Sequence, residues 1–311
     1  MRVELETAAT LLLNGNVVGV PTETVYGLAA ALTHPDAISH IFRLKGRPSN
    51  NPLIIHVADA SQIAPFAKAF PEDFDLLARH FWPGPLTLIL PIDTAKIPEK
   101  ARAGLPTAAF RVPAHPLTKE LLQKTGPLVM PSANLSGKPS STCPQHVEAD
   151  FGPTFPVLDG GPCKRGVEST ILYYDGSQWE IIRQGALAQE AFSAVLGYLP
   201  KIAGKEEGEA PLCPGQLYRH YAPAAKLILT TEFQPSMEGV VIGFEGRAYP
   251  PACRLITLGP LSNPQRAAEA LYAVLRRLDL EDISSAWVDM NFPPEGLWST
   301  IAERLRKAAQ S

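Results

Sequence analysis

Proline punctuates this chain throughout: 31 of its 311 residues are proline, spread through groups such as N-P-L, W-P-G-P, M-P-S and A-P-A. Proline inside a helix deletes a hydrogen bond and clashes with the preceding turn, so the chain must fold as short elements joined by stiff turns. A length of 311 residues calls for one large domain and a smaller one, or two of similar size. A hydrophobic fraction of 45% is enough to build a sizeable packed core.

The apolar pattern between the prolines predicts the elements. Residues 4–13 have helical spacing and stop at Asn14-Gly15. Val17 to Val20 reads as a short buried strand, and Pro35 opens a helix that carries Ile38, Ile41 and Phe42 and ends near Lys45-Gly46. Apolar, β-branched runs predict strands at 53–57, 86–90, 108–112 and 128–130, with a helix over 74–82. Residues 169–173 and 179–182 read as a hairpin around Asp175-Gly176, followed by a helix over 189–199. Strands and helices do not alternate regularly, which predicts an α/β sheet of mixed direction.

Between 200 and 216, charge, glycine and proline replace apolar periodicity, the composition of a linker. The pattern then changes. Strands are expected at 226–229, 239–244, 254–257 and 286–290. A helix capped by Asn263 and a final helix over 295–309 complete a smaller α/β unit of Rossmann-like kind. The expected organisation is a domain over 1–200, a linker over 201–223 and a second domain over 224–311.

Several function classes are disfavoured. A formal net charge of −3 is not the footprint of a dedicated nucleic-acid binder. No run reaches the roughly 18 apolar residues of a membrane helix, and the N-terminus is acidic where a signal peptide would be basic, so a cytoplasmic chain is expected. Cys143, Cys163, Cys213 and Cys253 are too far apart to form a zinc-type pair.

Four segments carry candidate chemistry. In P-T-E-T-V-Y-G-L, Thr22 and Thr24 fall on one side of an extended stretch and Glu23 on the other. In K-G-R-P-S-N-N-P, Lys45 and Arg47 share a face beside Ser49, Asn50 and Asn51, suited to a polyphosphate. M-P-S-A-N-L-S-G-K-P-S-S-T ends a strand in small polar residues that suit close contact with phosphate or a base, without P-loop spacing. Single residues at strand ends complete the set: Thr107 and Arg111, Ser169 and Thr170, and Arg183. A buried arginine at a strand end is costly unless an anion pairs with it. Y-R-H-Y-A-P at 218–223 supplies aromatic and basic groups that could cover a ligand. Each segment read alone is equally at home as a β-rich strand, a solvated basic turn or a serine loop.

Taken together, the segments resemble the YrdC-type threonylcarbamoyl-AMP synthases in their long, two-domain form. P-T-E-T-V-Y-G-L, K-x-R-P, N-P-L-I-I-H-V, W-P-G-P-L-T, R-V-P, P-S-A-N-x-S-G, G-x-E-S-T-I and I-I-R-x-G occur in the family's order. Cys213 and Trp298 depart from the usual pattern at positions that leave the comparison intact. The resemblance implies a YrdC-like twisted mixed sheet and synthesis of threonylcarbamoyl-adenylate from ATP, L-threonine and bicarbonate. It implies that Thr24, His56, Arg111, Ser132 and Ser169 hold L-threonine. Lys45, Arg47, Asn51, Thr107, Asn134, Thr142, Arg183 and Tyr221 would hold ATP, with Lys45 and Arg47 offsetting phosphate charge. Mg²⁺ is expected to arrive with ATP, without protein metal ligands. A monomer is expected, handing its product to a separate tRNA threonylcarbamoyl-transferase machinery with at most weak tRNA contact. The competing expectation, of a different class, is a module that binds tRNA or double-stranded RNA. A steep salt dependence of RNA affinity would mark it.

Overall fold

The computed structural model describes residues 1–203 and 220–310. Cys213, Tyr218 and Arg219 of the expected linker lie outside the described residues. Ten strands form one sheet: β1 (Arg2–Val3), β2 (Val18–Val20), β3 (Gly27–Ala31), β4 (Ile54–His56), β5 (Leu86–Pro91), β6 (Thr107–Arg111), β7 (Leu128–Val129), β8 (Val157–Leu158), β9 (Thr170–Tyr174) and β10 (Trp179–Arg183). Their order is β1-β8-β2-β3-β7-β4-β6-β5-β9-β10. β4 runs parallel to β6 but antiparallel to β7, and β5 is antiparallel to β6 but parallel to β9, so the sheet is mixed as expected.

Among the described residues seven α-helices accompany it: α1 (Leu5–Leu13), α2 (Pro35–Lys45), α3 (Phe74–Phe81), α4 (Glu99–Arg102), α5 (Pro116–Thr125), α6 (Pro144–Phe151) and α7 (Glu190–Leu196). Pro35 is pre-set for the first turn of α2, and Gly46 closes that helix in the left-handed region at φ 59°. Ile38 and Ile41 on its inner face are fully buried against Leu28, Ala30 and Ile55.

The second unit is a parallel four-stranded sheet of order β11-β14-β12-β13, from β11 (Lys226–Thr230), β12 (Gly239–Glu245), β13 (Cys253–Pro260) and β14 (Ser285–Asp289). α8 (Pro264–Leu280) and α9 (Leu297–Ala309) pack on it. Asn263 caps α8 as expected, its side chain accepting from the Arg266 amide at 3.0 Å. Trp298 is a core residue here, set edge-on to Phe244 and stacked on Phe292.

The two units share a packed boundary. Val25, Val167 and Ala186 of the first belong to the same buried cluster as Leu271, Leu275, Ile301 and Leu305 of the second. Gly166 marks the closest approach. It sits at φ 71°, and a Cβ there would stand 2.2 Å from the Ala268 carbonyl oxygen on α8. Gly166→Ala is therefore expected to lower the unfolding free energy by about 2 kcal/mol or more, through positive-φ strain added to a backbone clash. Urea denaturation measures it, and a midpoint equal to that of the parent chain would contradict this packing.

Candidate active site

Strand alternation builds the site. On β4, Ile55 enters the main core, while Ile54 and His56 face a cavity on the other side of the sheet. On β6, Phe110 enters the core, and Arg111, in register with His56, faces the cavity. β10 needs a further device. Trp179 and Ile181 point into the core, and strict alternation would send Arg183 after them. A register shift between Ile181 and Arg183 turns the arginine to the cavity face instead.

The cavity spans about 600 Å³, counting the open solvent at its mouth. Its walls include Thr24, Arg47, His56, Arg111, Ser132, Asn134, Ser169, Arg183 and Tyr221, nine of the residues expected from sequence. Lys138, Ser140, Glu168 and His220 join them.

Arg111 is buried and firmly oriented. Its Nε donates to the Gly84 carbonyl at 3.2 Å, Nη1 to Thr24 Oγ1 at 2.9 Å, and Nη2 to Glu23 Oε1 at 2.6 Å. Three of its five N–H groups are thereby used, leaving two among the described residues. Glu23 does not point away as an extended segment would require. The Thr22 side chain folds the stretch into a bend, accepting from the Thr24 and Val25 amides, and so brings Glu23 round to Arg111. Thr22 and Thr24 do share one side, their hydroxyls 2.7 Å apart; alternation fails only for Glu23, in a bend where hydroxyls compete for backbone groups.

At the far wall, Ser169 Oγ lies 2.7 Å from Thr87 Oγ1, and Arg183 Nη2 donates to Ser169 Oγ at 3.1 Å and to its carbonyl at 3.0 Å. Asn134 shows a clear orientation. Its Nδ2 donates to the Leu135 and Lys138 carbonyls at 2.8 and 2.9 Å, leaving Oδ1 buried without a partner among the described residues.

Four expected residues stand outside this lining. Lys45 is the last residue of α2, not part of an extended pair with Arg47, because the helix continues to the Gly46 cap. Its buried ammonium grips the Ser132 and Asn134 carbonyls from behind the loop. Burial, then the Arg47 charge, lowers its pKa well below the usual lysine value. Asn51 is buried, and its carbonyl accepts from Arg47 at 3.3 Å. Thr142 is buried beside His146. Thr107 opens β6 while Arg111 closes it, so roughly 13 Å of strand separates them.

Glu168, the acidic residue of G-x-E-S-T-I, joins the site although nothing in the sequence points to a role for it. It is 6% exposed and accepts from Ser140 Oγ at 2.7 Å, Tyr272 Oη at 2.8 Å and Arg304 Nε at 3.0 Å. Burial alone would push its carboxyl up; the Arg304 and Arg183 charges and the two hydroxyl donors outweigh this and hold it at about 2. The signal for Arg304 lay in helical spacing. It shares the inward face of α9 with Ile301, Leu305 and Ala308, a core-facing charge on an amphipathic helix.

A mixed α/β fold with buried arginines and small hydroxyls around one cavity defines a binding site for anionic small molecules. The chain also matches two family models. The Sua5, YciO and YrdC family, described as "Telomere recombination", covers residues 10–185, and the "Threonylcarbamoyl-AMP synthase, C-terminal domain" covers 187–310. The threonylcarbamoyl-AMP synthase of Bacillus subtilis is 38% identical across 98% of this chain and 93% of its own length. That of Klebsiella pneumoniae is 34% identical across 57% of this chain and 94% of its own. The crystal structure of Pyrococcus abyssi Sua5 complexed with L-threonine superposes with a TM-score of 0.89 at 34% identity, covering 99% of this chain and 96% of that one. The chain belongs to the Sua5/YrdC family of threonylcarbamoyl-AMP synthases, in its two-domain form.

Buried histidines give this region a pH dependence. His146 Nδ1 accepts from the Thr142 amide at 3.2 Å, which requires that nitrogen to be unprotonated. Burial, then the Arg276 charge, lowers its pKa from 6.5 to about 4. The unfolded chain binds the proton more readily, so stability is full above pH 6.5 and is lost as pH falls toward 4, by at most about 1.4 kcal/mol per unit. Urea denaturation at pH 7, 6 and 5 should show this decline, with a shallower slope in His146→Gln. An identical slope in that variant would refute a neutral His146.

Proposed function

We propose that this chain joins L-threonine, bicarbonate and ATP into threonylcarbamoyl-adenylate and pyrophosphate, for the threonylcarbamoyladenosine modification of tRNA. One observation carries the reading: Arg47, Arg111 and Arg183 meet the hydroxyls of Thr24, Ser132 and Ser169 around a single cavity. The similarity to a Sua5 complexed with L-threonine, over nearly the whole chain, supports the amino-acid substrate.

In this reading Arg111, with two N–H groups to spare, takes the L-threonine carboxylate, and Thr24, His56, Ser132 and Ser169 surround the rest of the amino acid. The threonine amine attacks bicarbonate carbon, and loss of water leaves an N-carboxylate. An oxygen of that carbamate attacks the α-phosphorus of ATP, and the bond to pyrophosphate breaks. Arg47 and Arg183 offset charge on the phosphates, and Tyr221 closes on the nucleotide. Lys45 acts through the Ser132 and Asn134 carbonyls, fixing the loop that the nucleotide meets. Asn51, Thr107 and Thr142 remain assigned to ATP on family resemblance, in a second rank behind the cavity wall. No general base is assigned.

Mg²⁺ fits this setting as a companion of ATP. The one carboxylate in the lining, Glu168, is engaged by three donors, while Asn134 Oδ1 is a buried oxygen without a partner among the described residues. A hard cation takes phosphate oxygens, water and such an amide oxygen, and when bound it would offset charge on the leaving pyrophosphate. Residues 1–200 carry the chemistry, 201–223 link the domains, and the product passes from a cytoplasmic monomer to a separate tRNA-modifying transferase. Among the described residues no helix is long and apolar enough to cross a membrane.

Pyrophosphate release should require ATP, bicarbonate and L-threonine together; release independent of L-threonine would contradict the reading. Arg47→Ala should cut turnover by about 10²-fold, as for loss of a charge stabiliser, with the fold intact. Lys45→Ala should cut turnover and also lower the melting temperature, because it strands two buried carbonyls. Parent-like rates in both variants would remove phosphate binding from this loop.

A further inference from the structure

The second domain meets the cavity through two arginines. Arg276 of α8 donates to Asp150 Oδ2 at 2.7 Å and to the Pro139 carbonyl at 2.7 Å, so it holds the serine loop. Arg304 of α9 is fully buried. Its Nε donates to Glu168 at 3.0 Å, its Nη2 to the Gln184 carbonyl at 2.8 Å, and its guanidinium lies 4.9 Å from the centre of the Tyr221 ring. Tyr272 of α8 donates to the same carboxylate and stacks on Tyr221 at 5.3 Å. Two helices of the second domain therefore hold one wall of the cavity, Glu168, and one cover, Tyr221.

Glu168 poses an electrostatic problem for a site that takes a polyphosphate. It is an anion in the cavity lining, near enough to Arg183 for that charge to act on it. Left without its partners, it would repel phosphate. A buried carboxylate demands a cation.

We propose that Arg304 and Tyr272 are positioning residues for nucleotide binding: by occupying the Glu168 carboxylate from the second domain, they keep an uncompensated anion out of the phosphate site. The proposal rests on the reading of the cavity as an ATP site. It gives the second domain an electrostatic part in the reaction although that domain contributes neither Glu168 nor Arg183.

The test compares the parent chain with Arg304→Met, Tyr272→Phe, Glu168→Gln and the Arg304→Met/Glu168→Gln pair. Pyrophosphate release is followed with ATP varied at saturating L-threonine and bicarbonate, and then with L-threonine varied at saturating ATP. Arg304→Met should raise the KM for ATP about tenfold or more, with kcat and the KM for L-threonine changed less than about threefold, the pattern of lost binding and not lost chemistry. Tyr272→Phe, which removes one hydroxyl, should raise the KM for ATP about threefold. With Glu168 neutralised, the added effect of Arg304→Met should fall to about threefold or less, because the two residues act as a unit. If Arg304→Met does not fold, Tyr272→Phe alone and in the Glu168→Gln background decides in the same way. Parent-like KM values for ATP in the foldable variants, or effects that multiply independently of Glu168, would overturn the proposal. A parent chain that releases no pyrophosphate with all three substrates would instead sink the ATP reading on which it stands.

Discussion

The cost of burying positive charge governs this structure. Lys45, Arg111, Arg183, Arg276 and Arg304 are each less than a tenth exposed, and a cation removed from water is stable only with oxygen atoms around it. Each therefore dictates the shape of something else. Lys45 gathers the carbonyls of the serine loop, Arg111 pairs with Glu23 across the bend that Thr22 makes, and Arg183 fixes the start of β9 through Ser169. Arg276 and Arg304 do the same across the boundary between the two sheets. The loops look irregular in sequence, but their backbone is fixed by the need to solvate charge from within. A site built this way is preorganised, since the donors are oriented before any ligand arrives.

The fold was legible where apolar periodicity is strong. The core strands Ile54–His56, Leu86–Pro91 and Thr107–Arg111 stand where β-branched and apolar runs predict them, and α8 begins at its asparagine cap. β3 is not announced by the sequence, because Gly-Leu-Ala-Ala-Ala has no β-branched residue; its strand geometry is imposed by β2 and β7 on either side. The helices at Pro116–Thr125 and Pro144–Phe151 were not predicted. Each opens on a proline, as α2 does, but buries only Thr118, Leu121 and Leu122 or Pro144 and Val147, too few positions to set a helical period. β1 and β8 are two residues long, too short to carry a period.

Of the site, side chains that act directly from strand ends were easier to name than those that act through another group. Arg111, Ser132 and Ser169 follow from motifs at strand ends, and all line the cavity. Lys45 was paired with Arg47 by assuming an extended backbone, whereas Lys45 is still helical, the last residue before the expected stop at Gly46, and its side chain turns to the rear of the loop. Arg183 faces the cavity only because of a bulge, and no residue in I-I-R-Q-G announces one. What Arg304 and Tyr272 do was beyond reach for a different reason. Their role exists only once α8 and α9 are docked on Glu168, more than a hundred residues earlier in the chain.

That separation bears on why the second domain is built as it is. In a chain ending before α8 and α9, water could reach a carboxylate at position 168 and would meet most of its need for donors. Docking a domain over it removes that water, which raises the cost of the charge at the place where a nucleotide must bind. The cover must then supply what it displaces. Arg304 does so with a cation and Tyr272 with a hydroxyl, and the apolar residues that exclude water, Leu271, Leu275, Ile301 and Leu305, lie on the same two helices. An α9 bearing leucine in place of Arg304 would keep the apolar seal and leave the buried anion facing the phosphates. Apolar docking and charge compensation are thus inseparable here, which is why a fully buried arginine stands among the aliphatic residues of that helix.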